Sequence, residues 1–304
     1  MTTEKKNSHK VLRLLYPQWQ GGANPKYQVG ARVLAHILPG ATEADYIKVP
    51  VGQNQPVDMW RVEDGVYEKE TLLKQTEAAK AIIAAAAPEK IITVGGDCSV
   101  SQAPFDYLHG KYGEHTAILW FDAHPDIMKP TQFNHEHAMV LGNLLGDGEP
   151  DFAAQVDHPF TPDQVLYVGL KAEDMMDFEG EYLKEHSMSY LRPQDLLDTS
   201  EDGKTIINSK PILDWLRERN VKQVLIHFDM DVMDANDFRG LLYNEPGLGP
   251  VSYATGSMTL DQITTHFVEI GNVADIVGLS FAEYMPWDII RLQERMSRIK
   301  IFNE

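Results

Sequence analysis

The sequence predicts an α/β fold, with one mostly parallel sheet covered by helices on both faces. Three observations carry this. Eight short apolar runs are mostly continuous in Val, Ile and Leu, as strands buried on both faces are. Helix-type segments lie between them, so the pattern alternates β and α. The chain has 304 residues, no Pro/Gly/Ser-rich linker and no internal repeat, which suits a single domain spanning 1–304.

Taken in order, strand candidate 10–16 is followed by helix 28–38 and strand 44–49. Residues 50–65 read as a long loop. Helix 67–87 is the most strongly marked: Glu68 to Ala87 is rich in Ala, Leu, Lys and Glu, and Pro88 stops it. Strand 90–95, helix 100–111, strand 116–122 and helix 137–146 come next. Strands 164–169 and 188–192 precede helix 209–219 and strand 222–229. A second long loop, 232–257, contains Glu245-Pro246-Gly247-Leu248-Gly249-Pro250. Helix 259–270, strand 274–281 and helix 286–298 finish the chain. In open parallel sheets, ligands bind beyond the carboxyl ends of strands.

Composition excludes several classes. Hydrophobic residues make up 43%, enough for a full core. Mean hydropathy is −0.31, and no apolar run approaches the roughly eighteen residues of a membrane span. Net charge is −18, so a nucleic acid would be repelled. The single cysteine, Cys98, excludes an internal disulfide and fits a reducing cytosol. The start, Met1-Thr2-Thr3-Glu4-Lys5-Lys6, lacks the apolar stretch of a signal peptide. His9 and the Lys5-Lys6 pair suggest nothing.

Two acid-histidine clusters stand out. Asp122-Ala123-His124-Pro125-Asp126 follows one strand candidate, and Asp229-Met230-Asp231 follows another. Side chains on a strand repeat every second residue, so Asp122, His124 and Asp126 are expected on one face, and Asp229 and Asp231 on another. Five hard or borderline donors on neighbouring strand ends suit one divalent metal or two. Gly95-Gly96 are expected to permit a tight turn and close approach beside them.

These residues carry a resemblance. Gly95-Gly96-Asp97-Cys98-Ser99 resembles the G-G-D-H-S block of the ureohydrolases, the family of arginase, agmatinase and formimidoylglutamase. Asp122-Ala123-His124-Pro125-Asp126 matches D-A-H-x-D. His227-Phe228-Asp229-Met230-Asp231-Val232-Met233-Asp234 is similar to S-x-D-x-D-x-x-D, and Ala282-Glu283-Tyr284-Met285-Pro286-Trp287-Asp288 to V-E-x-x-P-x-x-D. The four blocks span residues 90 to 290 in the family's order. The resemblance implies a three-layer α/β/α fold with a central eight-stranded sheet, structurally related to deacetylases. It implies two manganese ions bridged by Asp122 and Asp229. His124 and Asp231 would complete the second ion's shell, and Asp126 with the residue at position 98 the first. Glu283 would hold a guanidinium. A histidine after the D-A-H-x-D block would shuttle protons; His137 matches better than His135. Family members often form trimers or hexamers, so the resemblance implies a homo-oligomer.

The chain departs from the family at three places. Position 98 is Cys where the family has His: either a soft thiolate there favours zinc, iron or cobalt over manganese, or Cys98 stays protonated and the first site is weak or empty. Met128 stands where arginases have an asparagine for the substrate's α-carboxylate. In Gly169-Leu170-Lys171-Ala172-Glu173-Asp174, the first aspartate of the arginase block is lost to Ala172, while Asp174 is left to meet an amine. Met139, Met175 and Met176 are expected at the pocket end. Asp234 reads as structural. Gln18-Trp19-Gln20-Gly21-Gly22 reads equally as cavity mouth or as packing.

The expected function is a cytosolic, metal-dependent hydrolase of a linear guanidino or amidino C–N bond, acting on a small molecule with neither nucleic acid nor membrane as partner. Two alternatives stand beside it: a metal-poor, inactive relative with a binding or assembly role, and a single-metal amidohydrolase or deacetylase-like enzyme.

Overall fold

The computed structural model describes residues 11–53, 56, 59–247, 255–298 and 301. Lys5, Lys6, His9, Lys10 and the Leu248, Gly249 and Pro250 of the second long loop lie outside the described residues.

Eight strands form one sheet. They are β1 (Val11–Tyr16), β2 (Ile47–Lys48), β3 (Lys90–Gly95), β4 (Thr116–Phe121), β5 (Val165–Val168), β6 (Ser189–Leu191), β7 (Gln223–Asp229) and β8 (Asp275–Ala282). The order across the sheet is β2-β1-β3-β8-β7-β4-β5-β6. Every neighbouring pair is parallel.

Alternating side chains feed two separate cores. Leu12, Leu14, Ile118, Trp120 and Leu225 pack with residues of α2 (Lys69–Ala86), α3 (Gln102–Tyr112), α4 (Val140–Leu144) and α6 (Asp177–Glu185). Leu15, Leu119, Phe121, Ile226 and Phe228 pack with α1 (Tyr27–Ile37), α7 (Lys210–Glu218) and α8 (Leu260–Gly271). The result is three layers. The central strands are buried on both faces, and all six residues of β4 are buried, which is why continuous apolar runs mark them. Among the described residues, α5 (Pro150–Ala153) and α9 (Trp287–Met296) complete the helices.

Several elements differ from the sequence expectation. Glu43–Asp45 form a 3-10 turn, so β2 shrinks to two residues. The expected helix 137–146 is a 3-10 turn, Glu136–Met139, followed by the short α4. The expected loop 50–65 carries part of a small antiparallel ladder, Val62–Glu63 with Val66–Tyr67. A second ladder pairs Leu197–Thr199 with Thr205–Ile207. Helix α6 was not expected; only Glu179 and Leu183 are buried along it, so its apolar period is faint.

Gly95-Gly96 end β3 for a steric reason. A Cβ on Gly96 would lie 1.6 Å from the Gln18 carbonyl oxygen, and one on Gly95 would lie 2.8 Å from that of Phe281. Neither has the positive φ that other glycines here adopt. Close approach, not a left-handed turn, requires glycine, and it draws the segment before Cys98 against β8.

Candidate metal centre

The four central strands, β3, β8, β7 and β4, deliver the acid and thiol groups from their carboxyl ends. The two-residue repeat accounts for only part of this. Asp122 continues the face of Ile118 and Trp120, and Asp229 that of Leu225 and His227, on adjacent strands. His124, Asp126 and Asp231 lie beyond the strands, so the expected alternation does not place them. Turns do: the Asp122 carboxylate accepts from His124 N at 2.7 Å, and that of Asp229 from Asp231 N at 2.7 Å. Asp126 and Glu283 adopt left-handed backbones, with φ of 50° and 62°. Such strain in non-glycine residues concentrates at functional sites.

These groups meet around a cavity of about 400 Å³. His124 Nδ1 is 3.0 Å from Asp231 Oδ2 and 3.5 Å from Asp122 Oδ1. Cys98 Sγ is 2.8 Å from Asp229 Oδ2 and 3.7 Å from Glu283 Oε1. His137 Nδ1 is 2.7 Å from Glu283 Oε1. Among the described residues, donor atoms within 4.8 Å of one another form four groups: Cys98, Asp122, His227 and Asp229; Cys98, His137 and Glu283; Asp122, His124 and Asp231; and Asp229, Asp231 and Glu283. A wider cleft of about 830 Å³ lies alongside and shares Lys171 and Tyr243. It lacks these converging donors, so the chemistry belongs to the smaller cavity.

Other expected residues fall as follows. Asp126 lines the cavity but joins none of the four groups. Asp174 lines it too, half-exposed and ion-paired with Lys171. Met128, Met175 and Met176 form part of the wall, with Phe133. Met139 is a correction: it is fully buried in a cluster with Val66, Leu72 and Phe152, against which Met128 of the wall packs, and it does not line the cavity. His135 packs against Tyr67 and Phe133; His137 is the histidine that meets Glu283. Asp234 caps a turn, accepting from Asn236 N at 2.7 Å. Trp19 packs with Tyr27 and Trp287, and Gln18 hydrogen-bonds Asp97, so that segment packs beneath the site. Sequence reasoning gave no role to Tyr243, which lines the wall, or to His227, buried among the donors.

The electrostatics describe a site short of positive charge. Burial pushes the Asp229 carboxyl well above the ordinary range, and Asp231, Glu283 and Asp122 add to it. Asp126 rises for the same reasons, burial first and then Asp122. Asp231 is pushed up to about 6 by burial, although His124 works against the rise. Burial also acts to raise Asp122, but its hydrogen bond to His124 and that ring's charge hold it low. His124 is surrounded by protein yet opens to the cavity, with 42% of its side chain exposed. Burial disfavours its charge, but Asp231 and Asp122 raise it well above an ordinary imidazole. Burial and the negative charge of Asp229 push the Cys98 thiol up, so it stays protonated and donates to Asp229. Asp126 Oδ2 and His227 Nε2 are among the buried side-chain atoms without a hydrogen-bond partner. Buried polar atoms normally have one. Crowded carboxylates, imidazoles and a thiol fit a bound divalent cation.

Glu136, just before His137, gives a pH test of the surrounding fold. Burial pushes it up to about 8, although Asn143 donates to it at 2.9 Å. Its ionisation is disfavoured in the folded chain, so stability falls as pH rises from the ordinary carboxylate range through about 8. The slope is at most about 1.4 kcal/mol per pH unit. Glu136→Gln keeps a neutral group there. Its urea midpoint should match wild type near pH 5 and exceed it near pH 8.5; parallel curves would show that Glu136 does not titrate in this way.

The sequence model of the Arginase family matches residues 31–287. An arginase of Staphylococcus aureus (strain COL) is 22% identical over 188 residues, covering 61% of this chain and 59% of that protein. An arginase of Entamoeba histolytica is 24% identical over 202 residues, covering 64% and 62%. The chain thus spans about three fifths of the length of the curated relatives it matches. Among solved structures, arginase from Bacillus caldovelox superposes with a TM-score of 0.72 over 91% of each chain at 17% identity. At that identity the likeness shows the fold.

Proposed function

This chain belongs to the arginase family, and from that premise we propose that it is a metal-dependent hydrolase of a linear guanidino or amidino C–N bond. Its products are an amine and either urea or a formamide-like species. The carrying observation is the convergence of Asp122, His124, Asp229, Asp231, Cys98 and Glu283 on one cavity. In this reading Asp122 and Asp229 would help to hold the ions. His124 and Asp231 would hold the second ion, and Cys98 and Asp126 are candidates for the first. Family resemblance favours manganese; the thiol favours zinc or another softer ion. When bound, such ions would supply an activated water as nucleophile for the guanidinium carbon.

The chain's own groups do the rest. Glu283 carries negative charge: burial acts against it, but His137 holds its carboxyl below the usual range. It binds the substrate's guanidinium. Burial opposes the charge on His137, yet Glu283 raises it above an ordinary imidazole. A proton at His137 is therefore available to the leaving nitrogen. Asp174 on the wall meets a distal amine. The methionines and Phe133 exclude water from the outer cavity.

Substrate choice follows from that wall. Met128 lines it where a carboxylate-binding amide is expected, so guanidino compounds without an α-carboxylate should be hydrolysed faster than arginine. A site that has lost a polar partner discriminates little in favour of the group that partner would bind. The test is elemental analysis of protein purified without chelator, alongside turnover of a guanidino and amidino panel. Efficient arginine-selective hydrolysis would refute the specificity, and metal content near zero would refute the enzyme.

A second reading has one observation behind it. The Asp122-His124-Asp231 group is complete on its own, whereas the Cys98 thiol is held protonated. A single ion there would support an amidohydrolase or deacetylase-like enzyme, and turnover of acyl-amines with one ion per chain would favour it. A cytosolic setting is supported by the lone cysteine. Self-association is supported by exposed Ile289 and Leu292 on α9; light scattering measures its size.

A further inference from the structure

Position 98 lacks the imidazole that the family resemblance expects, yet an imidazole reaches the same place from another strand. His227 lies two residues before Asp229 on β7, on the same face and fully buried. Its ring stacks on Trp120, with centroids 3.7 Å apart and planes 8° from parallel. Nδ1 is 2.8 Å from Ser101 Oγ. Nε2 is buried without a partner and lies 3.8 Å from Asp122 Oδ2. Donor atoms of Cys98, Asp122, His227 and Asp229 all lie within 4.8 Å of one another.

We infer that His227 Nε2 is the nitrogen ligand of the first metal position, which in this chain is a Cys98-Asp122-His227-Asp229 site suited to zinc or cobalt. The inference rests on reading the cavity as a metal centre and names which ion and which residues that centre uses.

The geometry supports it. Tetrahedral bonds of about 2.0–2.3 Å put donor atoms about 3.3–3.8 Å apart, and the His227-Asp122 separation falls at the edge of that range. The 2.8 Å contact of Cys98 with Asp229 is a thiol hydrogen bond, which opens once the proton leaves. A metal-binding imidazole normally gives its other N–H to an outer partner, and Ser101 stands at Nδ1. Ser101 and Cys98 share one 3-10 turn, so one segment supplies the thiol and orients the ring. Trp120 fixes both neighbours, stacking on His227 and donating to Asp122 Oδ2 at 3.0 Å. One sulfur, one nitrogen and two carboxylates make a four-coordinate set of the kind zinc takes. Buried His266 also has a serine at Nδ1 and an unpaired Nε2, so the unpaired nitrogen alone does not mark a ligand; what sets His227 apart is that its Nε2 stands among three ligand-type groups.

The test is cobalt titration of the full chain as wild type, His227→Phe and Cys98→Ser, read by absorption, with proton NMR of the wild-type cobalt form. Phenylalanine keeps a ring on Trp120 and removes both nitrogens. Wild type should show a thiolate-to-cobalt charge-transfer band and a hyperfine-shifted imidazole N–H that exchanges slowly, because Ser101 holds it in the core. Losing an outer partner costs about 10–100-fold in metal affinity. His227→Phe should therefore lose at least about 100-fold for this ion. Cys98→Ser should lose the band and keep the resonance. Unchanged affinity and band in His227→Phe, or no slowly exchanging shifted N–H in wild type, overturns the inference and leaves the hydrolase proposal standing. Cobalt bound without the band also overturns it. No cobalt bound at all overturns both. If His227→Phe does not fold, the wild-type resonance decides.

Discussion

Asp229→Asn is expected to lower metal-dependent turnover by at least about 10³-fold, the equivalent of several kcal/mol of metal-derived stabilisation. Asp229 ends β7 between its neighbours: its carboxylate accepts from Cys98 Sγ and from Asp231 N. It belongs to two of the donor groups that could hold an ion, so an amide there weakens both. The metal-free protein should respond in the opposite sense. Burial, then Asp231, Glu283 and Asp122, raise the Asp229 carboxyl well above its ordinary range. Ionising it is disfavoured in the folded state, so the stability of the metal-free chain declines as pH rises through that raised range. Asparagine removes the charge, and the metal-free variant should melt at or above wild type near pH 8. Turnover and melting, measured side by side, separate a functional ligand from a merely structural acid. Wild-type turnover, or a variant that melts lower without metal, would count against a charged ligand at this position. Function retained at a cost in stability is a common compromise at such sites.

How much of this was open to a reader of the sequence depends on what each feature leaves in composition. The sheet is covered on both faces, so β5, and β4 after Thr116, are unbroken apolar runs, and β7 is interrupted between Gln223 and Asp229 only by His227; these strands declare themselves. The ladders at 62–67 and 197–207 are two or three residues a side, too short for any period to show. The metal-type residues come in compact blocks at strand ends, and four of those blocks meet because β3, β8, β7 and β4 are adjacent. What holds them there was not legible. Left-handed φ at Asp126 and Glu283 has no signature in residues other than glycine. The choice of His137 over His135 came from the family resemblance; its contact with Glu283 depends on how one loop folds back. The expected place of Met139 beside the cavity failed because the 3-10 turn Glu136–Met139 sends that side chain towards α2 and α5. His227 did leave a trace. It is the single polar residue between Gln223 and Asp229, and an imidazole inside an apolar strand asks for a partner.

Cys98→His should convert the metal preference of the chain. The substitution puts a borderline imidazole where a soft thiol stands, and the Cys98 side chain borders the cavity, which offers room for the larger ring. Manganese content should rise towards about two ions per chain by family resemblance, in line with two-metal sites of this chemical class, and zinc or cobalt retention should fall. Acid resistance should change as well. Burial and the Asp229 charge push the wild-type thiol up, so protons compete with metal well into the neutral range. An imidazole titrates from about 6.5, so the variant should keep its metal to lower pH. Cys98→Ser is the control: it removes the thiolate without adding a nitrogen, and should lose zinc without gaining manganese. Metal analysis of the three proteins across pH 5.5 to 8.5, roughly the span from imidazole to thiol titration, decides the matter. If Cys98→His leaves manganese content, acid resistance and turnover where they are in wild type, the metal preference is set elsewhere in the pocket, and His227 on β7 is the next residue to change.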